Sequence, residues 1–301
     1  MKISRVAIIG LGLIGGSVGL SVREMLPDVA TTGWDADADV RARAAELGLA
    51  GMVCDTVAEA VREADLVILC VPVGAMGYAA EAIAPHIRPG TIVSDVGSSK
   101  RSVGEALAAA LPEAVVIPAH PVAGTENSGP EAGFATLFRH RWCIVTPRDD
   151  TPPDALAALS GFWEGLGATV EIMDPRHHDL VLAVTSHIPH LIAYTIVGTA
   201  SDLEEVTRGE VIKYSAGGFR DFTRIAASNP TMWRDVFLSN RDAVLEVLGR
   251  FTEDLSVLQR AIRNGDGDTL YDLFDRTRTI RRSIIEQGQD DARPDFGRKD
   301  H

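Results

Sequence analysis

The chain has 301 residues, 46% apolar and 24% charged, with a formal net charge of −13 at pH 7. This length suggests two domains, or one large one, with a core that needs neither metals nor disulfides. The acidic balance argues against nucleic acid or an anionic membrane surface as partner, since both need basic patches, but it admits an anionic small molecule held by locally gathered cations.

The N-terminus, "MKISR" before an apolar run, superficially resembles a signal peptide. No small-residue cleavage site follows, glycines at 10, 12, 15, 16 and 19 break the run, and it passes straight into "REMLPD". No other stretch is expected to be long and unbroken enough to span a bilayer, and a cytoplasmic location is expected. The cysteines, Cys54, Cys70 and Cys143, are odd in number, widely spaced and without a CxxC pair, as in a reduced chain with no zinc site.

From there short β-branched runs alternate with alanine-rich helical segments. "RVAIIG", "VATTGWD", "ADLVILCVP", "GTIVSDV" and "AVVIPAH" read as strands, with helical segments between them. The continuously apolar runs fit strands covered on both faces, and the rhythm predicts an α/β, Rossmann-type doubly wound parallel sheet. "RWCIVTP", a helix near 154–166 and "ATVEIMD" read as further strand-helix-strand material on that domain. After Asp174 helical periodicity takes over. "PRHHDLVLAVTSHIPHLIAYTIVGTA" reads as one helix, apolar around most of its circumference and therefore in need of burial on nearly all sides. The expected organisation is a dinucleotide-binding domain over 1–173, an all-α substrate and dimerisation domain over 174–287 that forms an intertwined homodimer, and a disordered polar tail over 288–301.

"IIGLGLIGGS" places Gly10, Gly12 and Gly15 in a GxGxxG pattern between a strand and a helix. The first glycine allows the tight turn, the second lets backbone approach a pyrophosphate, and the third lets helix and strand pack closely; Leu13 and Ile14 open the helix whose positive end meets the phosphates. Asp35 ends the second strand, where a carboxylate can accept from both ribose hydroxyls and would repel a 2′-phosphate. NAD is therefore the expected cofactor over NADP. Val71 and Pro72, at the end of "LCVP", either line the cofactor cleft or punctuate the strand.

Polar clusters punctuate the rest: "SDVGSSK", "HPVAGTE", "SHIPH" and "GGFRDFTRIAASNPTMW". His120 at a strand mouth is either a turn histidine or a proton-transfer group at a cleft. Ser98 can cap the helix that follows it. His187 and His190 lie three apart on one helical face, a spacing that could bind a metal, but no third ligand is in view and no metal is expected. Pro189 is expected to interrupt the helix ladder beside them.

In this order these motifs, together with "GLGLIG", resemble those of the prephenate/arogenate dehydrogenase family of tyrosine biosynthesis, from residue 3 to about 287. The resemblance implies an oxidative decarboxylation: NAD takes hydride from ring C4, carbon dioxide leaves C1, and the ring becomes aromatic. His120 matches the family base that removes the C4 hydroxyl proton. Ser98 resembles the serine that hydrogen-bonds both this histidine and the hydroxyl. Arg224 resembles the arginine that receives the ring carboxylate, though alone it would read as a surface ion pair. His187 resembles the histidine that contacts the substrate side chain. Lys100, Glu126 and Trp233 bear on prephenate against arogenate; the "TE" after "HPVAG" and the tryptophan after "NPTM" favour prephenate, while Glu126 could instead attract the arogenate ammonium group. Neither a mutase nor a regulatory domain is expected. Two rival readings remain open. A β-hydroxyacid-type dehydrogenase would use a helical-domain lysine such as Lys213, and a non-catalytic NAD-binding sensor would bind without turnover.

Overall fold

The computed structural model describes residues 2–125, 127–207 and 217–286. Six strands, β1 (Arg5–Ile9), β2 (Ala30–Trp34), β3 (Met52–Val53), β4 (Leu66–Leu69), β5 (Ile92–Asp95) and β6 (Val115–Val116), form an all-parallel sheet in the order β3-β2-β1-β4-β5-β6. The crossovers are α1 (Leu13–Met25), α2 (Ala38–Leu47), α3 (Val57–Val61), α4 (Met76–Ile83) and α5 (Arg101–Ala110). The apolar runs serve two cores, because side chains alternate across a strand. Val6, Ile8, Leu66 and Ile68 pack in the cluster that includes α1 and α6 (Pro153–Gly165). Ala7, Ile9, Val67 and Leu69 pack in the cluster that includes α3, α4 and α5. The order reverses between β1 and β4, which opens a crevice at the carboxyl ends of the strands.

The segment expected as one strand, "AVVIPAH", is two. Ile117 N–H donates to Val93 O at 2.9 Å, and there the parallel ladder ends: the next donor of the series, Ala119 N, goes to the Asp95 side chain, at Oδ1, 3.3 Å away. Pro118 O accepts from Thr146 N at 2.9 Å, and the chain crosses into a second sheet. There β7 (Ala119–Pro121) runs antiparallel to β8 (Trp142–Val145), which is parallel to β9 (Thr169–Ile172). His120 therefore stands in this second sheet, opposite Ile144, and Pro121 lies inside β7 opposite Cys143.

The apolar helix begins as α7 (Pro175–Leu182), whose start is set by Asp174, accepting from the amides of Arg176 and His177, with Pro175 at the first turn. It runs through a π-helical turn, Ala183–His187, into α8 (Ile188–Thr207). Pro189 has no N–H to return to Thr185, and the wide turn stands where that bond is missing. Then follow α9 (Gly217–Thr223), a 3-10 turn at Arg224–Ala227, α10 (Pro230–Ser239), α11 (Arg241–Asn264) and α12 (Gly267–Glu286).

The described residues pack as two units divided between Val244 and Leu245. The first unit holds both sheets and α7 to α10. The helix Pro175–Leu203 contains a window of mean hydropathy 1.6, long and apolar enough to cross a membrane. This corrects the expectation that the chain has no such stretch beyond its N-terminus. Within the single chain 28% of that window is buried. The expected tail, Lys213 and Glu126 lie outside the described residues.

Candidate active site

β7 carries His120 with only 8% of its surface exposed. Its Nδ1 lies 2.9 Å from His178 Nε2, with the two rings edge to face. His178, fully buried on α7, places its own Nδ1 2.9 Å from Asp179 Oδ1. Asp179 in turn accepts from the amides of Lys100 (2.7 Å) and Arg101 (3.0 Å), capping α5 from another helix. The Nε2 of His120 has no protein partner and is not among the fully buried orphan atoms, so it opens toward solvent. Burial pushes the His120 pKa well below its ordinary value, and the nearby His178, Lys100 and His187 add to this. Burial also lowers His178, against the opposing pull of Asp179. Both rings are neutral at physiological pH, and His120 can act as a base.

Lys100 takes a different part from the substrate contact expected of it. Its side chain is fully buried, and its Nζ donates to Asp95 and to Ala119 O. Asp95 also accepts from Gly97 N and Ala119 N. Burial raises the Asp95 carboxyl and lowers the Lys100 ammonium, and their mutual contact opposes both shifts. Fully buried and with two of its three N–H groups bound to Asp95 and to the backbone beside His120, Lys100 braces the strand that carries His120. Ser98 is half-buried, and the hydrogen bond of His120 goes to His178 rather than to it. The cap position of α5 is Lys100, and the capping carboxylate is Asp179, so Ser98 is not the helix cap.

A second cluster surrounds His187, on the π turn. Asn240 donates one amide hydrogen to Asp179 O at 2.8 Å and faces His187 Nδ1 at 3.1 Å. His187 must then carry its proton on Nε2, a buried donor without a protein partner. Burial lowers its pKa to about 4. His190 stacks on Trp233 with centroids 3.7 Å apart, and its Nδ1–H donates to Ser186 O. Trp233 is buried, and its Nε1 also lacks a protein partner. Arg224 is exposed at the start of its 3-10 turn, near enough to help burial lower His190. The structure thus brings His187, His190, Trp233 and Arg224 together.

The glycine loop lies at the crevice. Gly10 has φ +98°, and a Cβ there would sit 2.7 Å from Cys70 O. A Cβ on Gly15 would collide with Gly10 O, whereas one on Gly12 would meet nothing within 4 Å. The space beside Gly12 is therefore open to a ligand, and α1 starts there with no side-chain cap and no acidic residue in its first turn. These features fit a dinucleotide pyrophosphate. Leu13 is buried in the core and Ile14 packs against it, so they have backbone rather than side chain to offer. Asp35 accepts from Leu11 N (2.8 Å) and Asp37 N (3.0 Å), which ties the loop to the end of β2. Val71 packs near Gly10, and Pro72 begins the turn into α4.

His178, Asp179 and Asn240 are the residues sequence reasoning passed over. The signal for the first two was in "PRHHD": they share a buried helix face with Leu182 and Ala183, where only paired polar groups are tolerated. Asn240, a helix-end residue between α10 and α11, left no such mark.

The prephenate dehydrogenase nucleotide-binding domain family matches residues 18–172, and the prephenate dehydrogenase dimerization domain family matches 174–276. A cyclohexadienyl dehydrogenase of Zymomonas mobilis is 47% identical over 93% of this chain and 95% of its own. The crystal structure of prephenate dehydrogenase from A. aeolicus, in complex with hydroxyphenyl propionate and NAD+, has a TM-score of 0.88 at 31% identity, covering 94% of this chain and 99% of that one. Synechocystis arogenate dehydrogenase has a TM-score of 0.80 at 26% identity over 93% and 99%. With its sheet order, its glycine loop and matches along nearly its whole length, the chain belongs to the prephenate dehydrogenase family of oxidoreductases.

Proposed function

We propose that the protein is an NAD-dependent prephenate dehydrogenase, converting prephenate to 4-hydroxyphenylpyruvate and carbon dioxide. The observation that carries this reading is His120, whose Nδ1 is engaged by His178 while Nε2 opens to solvent. Bound NAD supplies the hydride acceptor. His120 Nε2 takes the C4 hydroxyl proton as hydride leaves C4; the electron pair of the bond from C1 to its carboxylate enters the ring, and carbon dioxide departs. Arg224 offers a planar fork for a substrate carboxylate. Asp35, at the end of β2, favours the free ribose hydroxyls of NAD over a 2′-phosphate.

Prephenate is preferred to arogenate on chemical grounds. The neutral His187, with Nε2–H as its only donor, suits a keto acid side chain and offers an ammonium group no acceptor. Steady-state kinetics with both substrates tests this choice. The expected result is a higher kcat/KM for prephenate. A tenfold preference for arogenate, about 1.4 kcal/mol of transition-state binding, overturns it.

A further inference from the structure

We propose that His178 and Asp179 are positioning residues that hold His120 in its Nδ1–H tautomer, so that the nitrogen facing substrate is the one with a free lone pair. The proposal rests on the dehydrogenase reading above. Its argument is one of donors and acceptors. Asp179 accepts at Oδ1 from Lys100 N and at Oδ2 from Arg101 N, both at the start of α5, where the helix end favours a carboxylate. A carboxylate can only accept, so the 2.9 Å contact to His178 Nδ1 requires the proton on that nitrogen. Neutral His178 then has only a lone pair at Nε2. The 2.9 Å contact from there to His120 Nδ1 requires a proton on His120 Nδ1, because the other tautomer would set two lone pairs against each other. One nitrogen remains, Nε2, unprotonated and open.

The arrangement also serves the protonated state. When Nε2 takes a proton from substrate, the positive ring keeps donating through Nδ1 to a neutral acceptor backed by a carboxylate. The other charged or titratable groups facing this pair are Lys100 from the start of α5, Asp95 from β5 and His187 from the π turn. Lys100 and Asp95 are paired with each other, and His187 is neutral, so Asp179 is the unpaired charge that the developing imidazolium meets.

The test compares His178→Phe, which keeps a ring and removes both nitrogens, with His178→Gln, whose amide oxygen can still accept from His120 Nδ1. Turnover of prephenate and NAD is measured with NADH binding and thermal melting alongside. The phenylalanine variant is expected to lose kcat by on the order of 100-fold, the scale of a misplaced general base, with KM and NADH affinity near native. The glutamine variant is expected to recover most of that loss. If the phenylalanine variant turns over at the native rate, the proposal fails. It fails equally if glutamine falls as far as phenylalanine, or if NADH binding is lost in step with kcat, since packing alone then accounts for His178. Should the phenylalanine variant not fold, His178→Met takes its place and is read the same way. A native protein that turns over neither prephenate nor arogenate would remove the dehydrogenase reading itself, a result distinct from any difference among the variants.

Discussion

His120 shows how a residue's environment decides its chemistry. An exposed histidine is half protonated near pH 6.5, and as a base it loses its neutral form as pH falls through that value. Here burial, helped by neighbouring histidines and Lys100, moves the pKa well below that value. The sign follows directly: the neutral, active form persists as pH falls through 6.5 and is lost only further down. The acidic limb of kcat/KM for the free enzyme is therefore expected well below pH 6.5, measured from about pH 5 to 9. His120→Asn is expected to lower kcat by roughly 100-fold or more and to abolish that limb. A limb at or above pH 6.5 in the native protein would assign the titration to another group.

At the scale of elements, the sequence was readable wherever a local rule decides the structure. The strand rhythm, the glycine loop after β1 and the Asp174-Pro175 helix start all depend on neighbours in the chain, and all were legible. The exchange of sheets at Pro118, the capping of α5 by Asp179 and the burial of Lys100 depend on partners brought together by folding, and were not. Lys100 is the clearest instance, because lysine at a helix start beside "SS" looks like a solvated cation. In the fold it closes an ion pair with Asp95 and holds Ala119 O, next to His120. Lys100→Met removes the ammonium and leaves the Asp95 charge buried without its partner, so it is expected to destabilise by about 3–5 kcal/mol, seen in denaturant melts. Adding Asp95→Asn removes that charge and is expected to restore part of the loss. If Lys100→Met instead raises the substrate KM and leaves stability unchanged, Lys100 contacts substrate after all.

At the scale of the whole molecule, apolar surface remains uncovered. On α11, Val244, Leu248, Phe251, Leu255, Leu258 and Ile262 recur at alternating intervals of four and three, the spacing of a helix seam that packs on another helix. Yet Leu255 is 48% exposed and Ile262 68% exposed in a single chain, and Tyr271 and Phe274 on α12 are exposed as well. The mostly uncovered helix Pro175–Leu203 adds Val184, Ile196, Val197 and Leu203. Exposed apolar residues in such number call for a partner surface, and the matching family domain is described as a dimerization domain. A second copy of this chain is the partner we propose, with α11 in the seam. Sedimentation at micromolar concentration is expected to give twice the chain mass of 32.2 kDa, and Leu255→Glu with Ile262→Glu is expected to weaken that association by placing charges in the seam. A native protein that sediments as a monomer contradicts the assignment. One that partitions into membranes and needs detergent for solubility contradicts it differently, because the apolar helix would then meet lipid instead of a second chain.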